Sequence, residues 1–134
     1  MFSAAESDKS IVIKSHDEIQ LMLEANQIVA EVLVNLQKIV EPGITTWELD
    51  KVSEDLCHKR GALPAFKGYR GFPGSLCVSV NEEVVHGIPS HKKKLKKGDI
   101  ISVDFGVRLK GFYGDSAITI PVGRIDNTTH NLLK

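Results

Sequence analysis

Ile19, Met22, Val29, Leu33, Leu36 and Val40 recur at steps of three and four, with Asn26 as the polar member of the same series. That spacing predicts one face of a long helix packed on a core. Ser15 stands ahead of it with Glu18 three residues on, a pairing that satisfies the first free N–H groups of a helix. Pro42-Gly43 ends the helix, since proline cannot continue it and glycine accepts the left-handed exit. Thr45 and Glu48 repeat the capping pattern, and Leu49, Val52 and Leu56 mark a second helix ending at Gly61.

Glycines and aromatics then dominate in "FKGYRGFPGS", Phe66 to Ser75. A short β-rich run covers Leu76 to Val80, and Asn81-Glu82-Glu83 has turn chemistry. "VVHGIP" follows, then the basic run "HKKKLKKGD" from His91 to Asp99. From Ile100 the period changes to two. Ile101, Val103, Phe105, Val107 and Leu109 fall on one face, and Ser102, Asp104 and Gly106 on the other. Lys110-Gly111 offers a turn, a strand returns from Phe112 to Ile120, and residues 127–134 read as the first turns of a third helix. The expected fold class is α+β, with two helices packed on the apolar face of a mainly antiparallel sheet. The opposite face carries the acids.

Composition changes this picture little. The chain has 134 residues, 42% apolar and 25% charged, with 17 basic against 17 acidic side chains. That balance gives no global field favouring nucleic acid or a membrane surface. Cys57 and Cys77 have neither zinc-finger spacing nor disulfide-scaffold density, so they read as free thiols in a reducing compartment. "MFSAAESDKS" is short, polar and acid-containing, unlike a signal or transit peptide. The expectation is a cytoplasmic protein with a flexible segment over residues 1–14 and one domain over residues 15–134.

The candidate chemistry lies in "SVDFGVRLKGFYGDSA", where Asp104 and Asp115 sit in adjacent strands. A two-residue Lys110-Gly111 turn would place Asp104 opposite Ala117, with Asp115 diagonal to it on the same face at roughly 7–8 Å. A four-residue loop from Arg108 to Gly111 would pair the two acids directly. Either register makes the carboxylates converge. Converging carboxylates repel unless one takes a proton or a cation stands between them, and a divalent ion favours oxygen donors. Spacing alone leaves open solvated strand-edge acids or an acid pair sharing a proton.

"VNEEVVHGIPS", "GDIISVDFGV" and "GFYGDSA", in this order, resemble the first half of a type I methionine aminopeptidase. The resemblance runs from about His16 to the last residue and includes "EPGITTWELD". It implies the N-terminal half of a pita-bread fold, whose two related αβ halves face a dinuclear centre that removes initiator methionine. By position it assigns Asp104 as a chelating metal ligand and Asp115 as the bridging one. It assigns His86 to catalysis and substrate contact at the scissile amide, and Tyr69, Phe72 and Cys77 to the methionine pocket. Phe66 takes a further pocket position where some relatives carry cysteine. The cofactors it implies are two divalent ions per complete site, of cobalt, manganese, iron or zinc. The partners it implies are N-terminal methionine peptides or nascent polypeptides.

The family's remaining ligands, a histidine and two glutamates, match nothing before "HNLLK". His91 and His130 read as surface residues, so the ligand set is expected to be incomplete and a second chain could cover the cleft face. The alternative reading is a catalytically inactive half-domain that binds a ribosome, nascent chain or full-length partner, with Lys92 to Lys97 on RNA phosphate. No specific DNA contact and no membrane is expected. A prolidase-like relative shares the aspartate pair, and "GYRGFPGSLC" with "VVHGIP" favours the methionine branch.

Overall fold

A computed structural model describes residues 11–134. Of the segment expected to be flexible, residues 1–10 lie outside the described residues. Residues 11–14 are exposed and carry no helix or strand. Helix α1 runs His16–Ile39 and α2 runs Thr46–Lys59. Both open on complete capping boxes. The Ser15 and Thr45 hydroxyls accept from the N–H groups of Glu18 and Glu48, each at 3.2 Å, and the glutamates accept from the capping N–H groups at 2.7 Å. Thr45→Ala is expected to lower stability by about 1 kcal/mol, read as a fall in the urea midpoint at unchanged m-value.

The sheet has four strands: β1 Leu63–Pro64, β2 Leu76–Val80, β3 Ile100–Leu109 and β4 Phe112–Pro121. Strand β3 is central. Along its whole length it pairs antiparallel with β4, from Ile100–Pro121 to Leu109–Phe112. Its other edge is shared, with β2 against residues 101–105 and β1 against residues 107–108. Lys110 (φ 49°) and Gly111 (φ 87°) form the two-residue hairpin turn, both left-handed as the right-handed twist of the strands requires. A short helix α3, Asn127–Leu132, follows with Asp126 as its cap.

The period-two face of β3 is buried throughout: Ile101, Val103, Phe105 and Val107 are fully enclosed and Leu109 nearly so. Helix α1 packs over β3 and β4, and α2 over β2 and β1. The α+β expectation therefore holds, but the buried helix faces differ from the apolar stripes. In α1 the core takes Ala25, Ile28, Val29, Val32, Leu33 and Leu36, while Ile19 is 50% exposed. In α2, Val52 and Leu56 are only half-buried, and the helix buries Thr46, Leu49, Asp50, Ser53, Glu54 and Cys57. Those polar groups are buried because each has a partner. Ser53 donates to the Leu49 carbonyl at 2.8 Å, and Asp50 and Glu54 hold other segments of the chain.

Gly114 sets how closely these layers approach. A Cβ at Gly114 would lie 2.6 Å from the Ala25 carbonyl carbon, so α1 rests directly on the β4 backbone. At that crossing Asn26, the polar member of the apolar series, accepts from the Asp115 N–H at 3.3 Å and donates to the Met22 carbonyl at 2.8 Å. The polar residue in the stripe is there to position a strand.

Candidate active site

Asp104 and Asp115 stand on the sheet face turned away from the helices, where alternation placed them. The register pairs Asp104 with Ala117 and Gly106 with Asp115, so the acids are diagonal neighbours. On its other side Asp104 pairs with Cys77 of β2. The two carboxyl groups are within hydrogen-bonding reach of each other. Burial and then the Asp115 charge push the Asp104 carboxyl up to about 6, with His86 partly offsetting them. Burial, followed by the charges of Asp104 and Asp115, pushes the Cys77 thiol up to about 11. Negative potential is therefore concentrated at one point on the face turned away from the helices.

Segment Phe66–Ser75 folds over that point. Its start is tied to α2 by Lys67, which bonds the Glu54 carboxylate at 2.6 Å, and Lys51 adds a second contact at 3.2 Å. The far end is held by Asp50, whose Oδ1 accepts from the N–H groups of Ser75 and Leu76 at 2.7 and 2.8 Å. Burial raises Asp50 above the usual carboxylate range even though these two donors act to lower it. Between the ties the chain makes a single tight turn at Tyr69–Gly71. Gly106 lets the aromatic lid close: a Cβ there would lie 2.7 Å from the Phe66 ring, which takes the space instead.

His86 reaches the site from the other direction. Its backbone is left-handed (φ 59°), and the next residue, Gly87, is fastened to β2. The Val78 N–H donates to the Gly87 carbonyl at 3.0 Å, and the Gly87 N–H donates to Ser79 Oγ at 3.1 Å.

These segments enclose a cavity of about 560 Å³. Its lining includes Asp104 and Asp115, then His86, then Phe66, Tyr69, Phe72 and Cys77, so all the residues singled out in the sequence meet in one place. Arg70 and Ile88 also line it and carried no sequence signal beyond their neighbours. Asp50 and Asn26 went unassigned because they act through backbone groups 25 and 89 residues away. The lysine run lies elsewhere. None of Lys92 to Lys97 lines the cavity; Leu95 is buried, Lys93 pairs with Glu83, and His91 stacks on Trp47 at 4.0 Å.

The donor set fits a divalent cation that accepts oxygen ligands: two carboxylates held close enough to raise one of them, with no lysine or arginine among the described residues paired to either. Among the described residues no group of three or more His, Cys, Asp or Glu is arranged to hold such an ion. Nor, among them, is any helix long and apolar enough to cross a membrane.

Converging acids on a sheet, under an aromatic lid and beside a histidine, form the kind of arrangement that metal-dependent hydrolases use. The chain belongs to metallopeptidase family M24, whose family model matches residues 20–134. It is 50% identical over 124 residues to a methionine aminopeptidase of Clostridium acetobutylicum, covering 92% of this chain and 50% of the relative. Methionine aminopeptidase 1 of Bacillus subtilis is 52% identical over the same length, with the same coverage. The crystal structure of a Thermotoga maritima methionine aminopeptidase superposes with a TM-score of 0.90 at 44% identity, over 92% of this chain and 50% of that one. The chain thus spans about half the length of the relatives it matches, and its α+β fold is half of their pita-bread architecture.

Proposed function

We propose that this chain carries the acid pair and methionine pocket of a methionine aminopeptidase acting on the N-terminal methionine of new polypeptides in the cytoplasm. The supporting observation is the convergence of Asp104, Asp115, His86 and the aromatic-thiol wall on a single cavity. Asp104 and Asp115 would hold divalent cobalt, manganese, iron or zinc, with further donors drawn from outside the described residues. When bound, such ions supply the Lewis acidity that peptide hydrolysis at neutral pH requires.

The protein's own groups do the rest. Phe66, Tyr69, Phe72 and Cys77 present a soft, apolar wall suited to a flexible thioether through dispersion and sulfur–aromatic contacts. The high thiol pKa keeps Cys77 uncharged, so it packs against the substrate and does not attack it. His86, held by Gly87, faces the acids and can donate a hydrogen bond to the leaving amide as charge develops. Val84 and Val85 flank it at 83% and 64% exposure, an apolar edge that a further half or a second polypeptide would cover.

Incubation with Met-Ala-Ser and Mn²⁺ or Co²⁺, in the presence of the polypeptide that supplies the remaining donors, tests this reading. The expected result is release of free methionine that disappears in Asp115→Asn and falls by about 10²–10⁴-fold in His86→Ala. No release under either metal, or release unaffected by Asp115→Asn, would leave a binding half-domain as the better account.

A further inference from the structure

Arg70 is the cavity residue that this chemistry leaves unused. Among the described residues it is the one lining side chain with a permanent positive charge, and it shares the cavity with Asp104, Asp115 and His86. Its guanidinium lies over the Tyr69 ring, 5.4 Å from the centroid. Among the described residues no carboxylate comes within ion-pairing distance of it.

The local backbone gives no reason for an arginine at this position. Arg70 has φ 47° and ψ 35°, between Gly68 at φ 81° and Gly71 at φ 78°. Glycine or asparagine adopts that left-handed conformation at lower cost than a long side chain does. The turn is nevertheless held firmly: the Gly68 N–H donates to the Phe72 carbonyl at 2.8 Å, and the Phe72 N–H to the Tyr69 carbonyl at 2.9 Å. Strain of this kind persists where the side chain it presents has a use.

We propose that Arg70 reads a carboxylate on the residues that follow the methionine of a peptide substrate. This rests on the aminopeptidase reading above. With the amino end at the acid pair and the methionine side chain among Phe66, Phe72 and Cys77, the remainder of the peptide leaves across the exposed rim. Tyr69 and Arg70 are both exposed there. The Arg70 guanidinium stands at that exit with its charge uncompensated by any carboxylate among the described residues. Its planar fork also matches a carboxylate through two parallel hydrogen bonds, which a lysine cannot reproduce. The carboxylate can belong to an Asp or Glu side chain or to the C-terminus of a short peptide. An exposed pair of this kind corresponds to about two- to fivefold in affinity at low salt.

Four peptides separate these sources: Met-Ala-Glu and Met-Ala-Gln, each as C-terminal acid and as amide. The measurement is kcat/KM with Mn²⁺ at low salt, for the natural chain, Arg70→Lys and Arg70→Asn. Asparagine tolerates the left-handed backbone, and the acid-to-neutral ratio within each variant cancels any general loss of activity or folding. A ratio of two to five is expected in the natural chain, carried by KM, reduced by added salt, smaller in Arg70→Lys and near one in Arg70→Asn. The Glu/Gln amide pair reports a side-chain carboxylate, and the acid/amide pair of Met-Ala-Gln reports the C-terminus. A ratio near one for both pairs in the natural chain, or one that survives in Arg70→Asn, overturns the proposal. Should no peptide be hydrolysed, the aminopeptidase reading fails separately. Calorimetric titration of the same peptides then reads the preference as affinity, and equal affinities for acid and neutral peptides overturn the role of Arg70.

Discussion

Asp104→Asn is expected to make the metal-free chain more stable at pH 7 while removing its stabilisation by Mn²⁺. The first effect follows from the carboxyl being pushed up to about 6 by burial and by Asp115, and the second from loss of one carboxylate of the pair. In the unfolded chain the same group titrates near 3.9. Between those values the folded state holds the extra proton, so stability falls as pH rises from about 4 to 6, and the full penalty is present above 6. Solvent screening at this half-exposed carboxyl limits the penalty to about 1 kcal/mol. An asparagine in its place carries no charge, and its amide can donate to Asp115.

Other carboxyls bend the curve the opposite way. Glu54 is lowered chiefly by its hydrogen bond to Lys67, and Asp126 by the Thr129 N–H, so the stability they contribute is lost as pH falls. The informative quantity is therefore the difference between natural and variant urea midpoints, taken from pH 4 to pH 8. That difference should be near zero at pH 4 and grow to about 1 kcal/mol in favour of the variant above pH 6. Saturating Mn²⁺ at pH 7 should reverse its sign, because the ion stabilises only the chain that binds it. A difference flat with pH, or equal stabilisation of both chains by the ion, would place the two carboxylates too far apart to share a cation.

The acid pair was legible in the sequence because two local signals agree on it. Lys110-Gly111 is a two-residue hairpin turn, and alternation from Ile101 to Leu109 leaves Asp104 on the face opposite the core. Convergence of the acids followed from those alone, while the register stayed open until the structure showed the two-residue turn and not the four-residue loop. The helix faces were less legible, because apolar periodicity reads every polar residue as exposed. Asp50, Ser53 and Glu54 are buried through partners, and those that tie Asp50 and Glu54 to other segments lie 13 to 26 residues away. Cavity membership is a different matter again. Phe66, Tyr69, Phe72 and Cys77 were assigned by resemblance, since no period relates a glycine-rich segment to a strand it closes over. Gly106, which admits the Phe66 ring, carried no sequence signal beyond its place on the face opposite the core.

Gly87→Ala should be the most damaging single-methyl change in the chain. The backbone at Gly87 lies outside the positive-φ region, so alanine meets no conformational penalty of its own and the cost is steric. A Cβ there would stand 1.9 Å from the Val78 carbonyl oxygen and 2.9 Å from the Ser79 Cα. Both are backbone atoms of a fully buried strand that is paired to β3, so no side-chain rotation relieves the contact. Either β2 shifts or the loop lifts, and lifting breaks the two hydrogen bonds from Val78 and to Ser79 Oγ. The combined loss is about 3 kcal/mol or more, at the upper end of overpacking costs. The second consequence falls on the site. His86 is placed by its neighbour's attachment to β2, so a lifted loop carries the imidazole away from Asp104. Urea unfolding measures the first effect. The second is read by NMR, as loss of the influence of the Asp104 titration on the His86 ring shifts. A midpoint within 0.5 kcal/mol of the natural chain, the range of ordinary surface substitutions, would mean that the loop does not lie against β2.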